Sequence, residues 1–84
     1  MKARNPIEQV KQTNRLSEDE ILFGLRYHSN NYAKYKNQED LDLIKYWSVT
    51  YSMKISIMHY GYEKVLASVE EQQKSIQFYK LMQQ

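Results

Sequence analysis

Apolar residues recur at every third or fourth position through the second half of the chain. This stripe consists of Ile44, Trp47, Tyr51, Ile55, Met58, Tyr62, Val65 and Val69, and it resumes at Ile76 and Tyr79. The opposite side holds the polar residues Lys45, Ser52, Ser56, His59, Glu63, Glu70, Lys74 and Gln77. Because such spacings place side chains on one face of an α-helix, the pattern predicts one long amphipathic helix over residues 39–82.

The stretch from Trp47 to Ile57 also fits a β-strand, since apolar and polar residues alternate there with a period of two. The strand pattern ends at Met58, whereas the helical spacing continues in register through Gly61. We therefore predict helix and keep the strand as the alternative. A bend at Gly61 is a further alternative, because glycine accepts backbone angles that other residues avoid.

A second helix is predicted over residues 17–36. Ser17 and Glu20 have the spacing of a capping box, in which the Ser17 side chain bonds the Glu20 amide and the Glu20 carboxylate bonds the Ser17 amide. The inward stripe of this helix is Ile21, Leu25, His28, Tyr32 and Tyr35, broadened by Leu22 and Phe23. Gly24 lies inside the helix, where glycine costs about 1 kcal/mol relative to alanine.

The first sixteen residues are interpreted as either a basic arm or a short helix. Asn5, Pro6 and Glu8 occupy the cap, first and third positions of a helix that reaches about Gln12. A frayed arm is the alternative, because a helix this short depends on packing.

The polar residues Lys36, Asn37 and Gln38 separate the two longer helices, and so short a connection makes them antiparallel neighbours. The predicted fold is therefore all-α: an antiparallel helical hairpin with a long second helix and a short N-terminal helix, in a single domain over residues 1–84. The first helix spans about 27 Å and the long helix about 63 Å. The first helix therefore covers less than half of the long one.

The first half of the long helix carries a second apolar stripe, formed by Leu43, Tyr46, Met53, Ile57 and Tyr60. This half needs a second neighbour, which is the N-terminal segment, a second copy, a different protein, or the tail folded back at Gly61. We predict that Tyr46, Met53, Ile57 and Tyr60 form a protein interface. Eight tyrosines and one tryptophan in 84 residues agree with this interpretation, since both residue types suit interfaces.

Candidate chemistry is sparse. The chain has no cysteine and only two glycines, so neither a thiolate site nor a glycine-rich phosphate loop is expected. His28 and His59 lack the neighbours of a metal or acid–base site, and the acidic clusters are explained as helix starts. We expect a protein that is not an enzyme, needs no cofactor or metal, and has no membrane span. A cytoplasmic location is expected.

The chain carries twelve basic and ten acidic residues, for a formal charge of +2. A nucleic-acid site is one hypothesis, and its candidate contacts are Lys2, Arg4, Lys11, Arg15, Lys34 and Lys36. The acids at both ends of the hairpin weigh against it. A structural homodimer or larger homo-oligomer, joined through the long helix, is the other alternative to a regulator that binds a different protein.

Residues 16–48 resemble the Sda family of sporulation checkpoint inhibitors. The resemblance rests on Leu16-Ser17, on Asp19-Glu20-Ile21-Leu22, and on the acid-led run Asp40-Leu41-Asp42-Leu43-Ile44 after a polar turn. Members of that family are small antiparallel helical hairpins that bind a histidine kinase and block its signalling. The resemblance implies a small bacterial regulator of phage or prophage origin. Such a regulator would occupy a surface on a larger bacterial protein, such as a kinase or a replication or transcription regulator.

Overall fold

The computed structural model describes residues 5–83, which form four α-helices. They are α1 (Pro6–Arg15), α2 (Glu18–Tyr35), α3 (Gln38–Tyr60) and α4 (Tyr62–Met82). This part of the chain contains no strand, so the all-α prediction is confirmed and the strand alternative for Trp47 to Ile57 is wrong. Of the residues named above, Lys2 and Arg4 lie outside the described residues.

Local sequence signals set the start of α1 and α2. The Asn5 side chain accepts a hydrogen bond from the Ile7 amide at 2.9 Å, and Pro6 takes the first helical position. Ser17 Oγ accepts from the Glu20 amide at 3.1 Å, as half of a capping box requires. The other half differs from the prediction, because the Glu20 carboxylate accepts from the Ser17 hydroxyl at 3.2 Å.

Helices α2 and α3 are joined by Lys36 and Asn37, and Lys36 takes the left-handed conformation that ends α2. Three of the contacts between these helices show their relative direction. Tyr51 contacts Glu18, Trp47 contacts Gly24, and Asp40 contacts His28. Residues late in α3 therefore meet residues early in α2, and residues early in α3 meet residues late in α2.

The long helix predicted over residues 39–82 is not confirmed, because Gly61 divides it into α3 and α4. Gly61 has φ 97° and ψ 146°, a conformation that is essentially restricted to glycine. A straight helix from Gln38 to Met82 would be about 67 Å long, whereas the longest dimension of the molecule is 48 Å. The stripe stays in register through Gly61, but the helix axis does not continue through it.

Helix α3 is central: in the part of the chain that the structure describes, it contacts all three other helices, and α1 also contacts α4. Neither α1 nor α4 contacts α2. Lys54 of α3 donates to the Asn14 carbonyl of α1 at 3.3 Å. The core is small, and its buried side chains are Val10, Thr13, Ile21, Thr50 and Ile57.

The molecule is flat and open for its length. Its dimensions are 48 × 31 × 14 Å and its radius of gyration is 15.4 Å, compared with about 12 Å for a compact domain of this size. Its accessible surface is 6686 Å², whereas a folded monomer of this mass exposes about 5,300 Å². Much apolar surface that a compact domain would bury is therefore left exposed.

Candidate protein-interaction surface

The predicted interface of Tyr46, Met53, Ile57 and Tyr60 does not form one exposed face. Ile57 is only 6% exposed and belongs to the core, so its assignment to an interface is corrected. Tyr46 and Met53 are half-buried, and only Tyr60 is fully on the surface. Both α1 and α4 pack against α3 in addition to α2, so the chain itself supplies further neighbours for this helix.

The first apolar stripe is also buried only in part. Ile55 and Met58, which were expected to face inwards, are exposed. Helix α2 begins at Glu18, and Glu18 already lies opposite Tyr51. No part of α2 therefore reaches the next turns of α3, and the stripe loses its cover beyond Tyr51.

The structure creates a different candidate surface between the first half of α2 and the middle of α3, which we call the α2–α3 groove. Its lining residues are Leu16, Asp19, Glu20, Phe23, Gly24, Tyr27, His28 and Trp47. Phe23 is 71% exposed and Tyr27 is 53% exposed. Their rings stack at 6.2 Å with an angle of 19° between the planes, so they form one continuous aromatic wall.

The floor of the groove is the contact between Gly24 and Trp47. A β-carbon built on Gly24 would lie 2.6 Å from Trp47 Cε2, so the indole ring sits directly on the α2 backbone. Tyr46 meets the same indole ring edge-on, with ring centroids 5.4 Å apart. Contacts within the chain, above all that of Trp47 with Gly24, therefore form the floor of the groove.

A histidine–carboxylate contact closes one end of the groove. His28 Nδ1 lies 3.1 Å from Asp40 Oδ1, and their side chains are 19% and 14% exposed. The Tyr27 ring meets the His28 ring edge-on at 5.1 Å. Sequence spacing could not reveal this pair, because its members lie on different helices. It ties α2 to α3 beside the aromatic wall, and no cluster of three metal-ligating side chains occurs in residues 5–83.

The charge of the groove is acidic. Among residues 5–83, the lining includes the acidic residues Asp19 and Glu20 and no lysine or arginine. Nearby, the Tyr51 hydroxyl donates to Glu18 at 3.2 Å. Burial, together with the hydrogen bond to Glu18 and its negative charge, raises the pKa of Tyr51 above its ordinary value of 10.0. Tyr51 therefore remains a neutral hydrogen-bond donor at physiological pH.

The described basic residues that were proposed to contact nucleic acid lie at two separate places in the fold. Lys11 and Arg15 lie on α1, whereas Lys34 and Lys36 lie at the end of α2. These four residues are exposed, but α1 and α2 do not contact each other. The Lys36 ammonium is placed 5.2 Å from the centre of the Tyr32 ring. The structure therefore does not join the two pairs into one continuous patch across packed helices.

Sequence reasoning missed the α2–α3 groove because it placed Phe23 and Trp47 on buried stripes and did not assign Tyr27. One signal was present: Leu16, Glu20, Phe23 and Tyr27 follow at steps of three or four beside Gly24. What the sequence lacked was the identity of the side chain that packs on Gly24.

Comparison with protein-family models, with curated proteins and with solved structures found no match. The resemblance to the Sda family therefore stays a prediction. None of the described helices combines the length and apolar character needed to cross a lipid bilayer.

Proposed function

We propose that this chain is a small non-enzymatic regulatory protein of the bacterial cytoplasm, which binds a larger protein through the α2–α3 groove and inhibits or modulates it. The observation that carries the proposal is the aromatic wall of Phe23 and Tyr27, standing exposed above the preformed floor of Gly24 and Trp47. Exposed aromatic residues beside a rigid floor are typical of the anchors that dominate binding energy at protein interfaces. Preorganisation also reduces the entropy lost on binding.

The chemistry of the groove specifies the kind of partner surface. Its walls are apolar, and its charged rim consists of Asp19 and Glu20. The complementary surface is an amphipathic helix with an apolar ridge and lysine or arginine at its edge. Binding covers a functional surface of the partner, so the expected effect is steric inhibition or sequestration.

The reversed order of the α2–α3 contacts supports an antiparallel hairpin, the architecture that the resemblance to Sda implies. Glu18 meets Tyr51, and His28 meets Asp40 at the opposite end. On this basis the partner belongs to the bacterial regulators: a kinase, or a protein that controls replication or transcription. The absence of cysteine from the sequence agrees with a reducing compartment.

The proposal is tested by affinity capture from a bacterial lysate with three baits. These are the wild-type chain, a variant with both Phe23→Ala and Tyr27→Ala, and the control Tyr35→Ala. Tyr35 is an exposed aromatic residue of the same helix that does not line the groove. The captured protein is then purified and its affinity for each chain is measured. We expect the double substitution to weaken binding at least about tenfold, while Tyr35→Ala binds like the wild type.

Trp47 provides an independent readout, since it is the only tryptophan in the chain. The chain is labelled with 5-fluorotryptophan, and its single ¹⁹F resonance is followed as the purified partner is added. Occupation of the groove shifts or broadens this resonance, whatever tryptophans the partner contains. Equal capture by the double variant and the control, or an unperturbed Trp47 resonance in the bound state, contradicts the proposal.

A further inference from the structure

The C-terminal half of α4 lacks support from the rest of the described chain. No residue of α4 is buried, and every residue from Lys74 to Gln83 is exposed. The large apolar residues of this segment are Ile76, Phe78, Tyr79, Leu81 and Met82. Helical segments of this length are marginal in water unless they pack against something. The segment therefore needs a neighbour that the described part of the chain does not supply.

One face of α4 is directed away from the rest of the molecule. The half-buried residues of the helix are Tyr62, Val65, Leu66, Val69 and Gln73, which mark the side packed against α1 and α3. The exposed surface away from this packed side includes Lys64, Ala67, Glu71, Lys74, Phe78 and Leu81. These six residues follow at alternating steps of three and four, the spacing of a helix-pairing seam. We call them the outer stripe.

The outer stripe is complementary to itself when two copies run antiparallel about a two-fold axis between Gln72 and Gln73. Glu71 then faces Lys74 of the second copy, so opposite charges meet. Ala67 faces Phe78 of the second copy, and the small methyl group leaves room for the large ring. Lys64 faces Leu81 of the second copy, and its aliphatic stem covers the leucine while its ammonium stays in water. The two-fold axis makes each of these pairs occur twice.

We propose that the outer stripe of α4 is the interface of a homodimer, and that its occupant is the same stripe of a second copy. The surface area agrees with this assignment. The chain exposes 6686 Å², about 1,400 Å² more than a folded monomer of its mass, and a standard interface takes about 800 Å² from each partner. Helices α4 and α2 are not in contact. Dimerisation through α4 and partner binding at the α2–α3 groove are therefore compatible and separately testable.

A charge-exchange experiment on the full chain tests the predicted pairing. Lys74→Glu places two glutamates against each other, and Glu71→Lys places two lysines against each other. Each single substitution is expected to raise the dimer dissociation constant about tenfold. The double variant, Glu71→Lys with Lys74→Glu, restores the opposite charges and returns the constant close to the wild-type value. Sedimentation equilibrium over the micromolar range measures the constant, and circular dichroism verifies that each variant remains helical.

Phe78 and Tyr79 provide a matched pair for the apolar part of the interface. Both are exposed aromatic residues of α4, and only Phe78 lies on the outer stripe. Phe78→Ala is expected to make the chain monomeric at concentrations where Tyr79→Ala remains dimeric. A wild-type chain that is monomeric throughout the micromolar range overturns the proposal. So does a dimer that responds equally to Phe78→Ala and Tyr79→Ala, or a double charge variant that dissociates like the single ones.

Discussion

The indole ring of Trp47 lies against the backbone of Gly24. A β-carbon at position 24 would come within 2.6 Å of Trp47 Cε2 and 2.8 Å of Cδ2, closer than two carbon atoms can approach without a shift in structure. The contact sets the separation of α2 and α3 and forms the floor of the α2–α3 groove. A glycine that weakens the helix locally therefore permits the tertiary contact on which the candidate site is built.

Gly24→Ala is expected to destabilise the protein although alanine is the better helix former. The gain in helix propensity is about 1 kcal/mol, whereas overpacking at a tight contact costs about 1–3 kcal/mol. Urea denaturation should show a net loss of stability, and Gly24→Ser should lose more. Asn30→Ala, at an exposed position of the same helix, is the control and should leave stability unchanged or raise it. A Gly24→Ala variant as stable as that control would show that Trp47 can move aside.

Substitutions at Gly61 should behave differently from those at Gly24. No atom lies within 4 Å of a β-carbon built at Gly61, but its φ of 97° strains any L-residue with a side chain. Gly61→Ala and Gly61→Ser are therefore expected to cost a similar amount, about 1–3 kcal/mol each. If the strain is relieved by straightening the junction, small-angle scattering will show a larger radius of gyration for the variant than for the wild type. A loss that grows with side-chain size at position 61 would contradict this explanation.

Ile57→Ala and Tyr60→Ala are expected to differ in their effect on stability, although the two residues lie within one turn of α3. Ile57 is 6% exposed whereas Tyr60 is 62% exposed. Removing the buried isoleucine side chain is expected to cost about 2–5 kcal/mol, which is a large share of the stability of so small a domain. Tyr60→Ala should change the thermal midpoint little. Calorimetric melting of both variants tests this assignment of Ile57 to the core and Tyr60 to the surface. Equal thermal midpoints would contradict the burial of Ile57.

Stability at alkaline pH should depend on Tyr51. Burial, followed by the hydrogen bond and charge of Glu18, raises its pKa in the folded state. The stabilising contribution of the neutral phenol is complete below its ordinary pKa of about 10 and is lost as pH rises through the raised value. Thermal melts from about pH 8 to about pH 11 should show a steeper loss for the wild type than for Tyr51→Phe. The other tyrosines are common to both chains, so parallel curves would refute the effect of Tyr51.

Ser17→Ala should weaken the start of α2. The substitution removes the side-chain oxygen that accepts from the Glu20 amide at 3.1 Å, at a cost of about 1 kcal/mol. Ser17→Asn retains a capping oxygen and should recover most of the loss. Ser29→Ala, at an exposed position inside α2, is the matched control for the loss of a hydroxyl. Chemical denaturation compares the three variants, and equal losses for Ser17→Ala and Ser17→Asn would mean that the cap is not the cause.

The all-α fold class and several helix ends could be predicted from the sequence, because they depend on residues that are close together in the chain. These interactions join residues within three or four positions of each other, as in the Asn5-Pro6 start, the Ser17 cap and the acidic first turns. Both partners of each interaction are therefore visible in a short stretch of sequence. The period of the apolar stripe likewise identifies helix over Trp47 to Ile57. None of these signals specifies which helix covers which stripe.

The tertiary structure decided which apolar faces are covered. Helix α2 is too short to shield Ile55 and Met58, whereas Ile57 is buried in a helix that α1 and α4 also contact. The non-helical backbone of Gly61 then divides a continuous pattern into two helices, although the period gave no sign of the break. Which faces are covered depends on helix lengths and on contacts between residues distant in sequence. Periodicity therefore identifies candidate faces but does not show which of them are covered. The arrangement of all four helices determines which of them, such as the Phe23–Tyr27 wall and the outer stripe of α4, remain exposed for a partner.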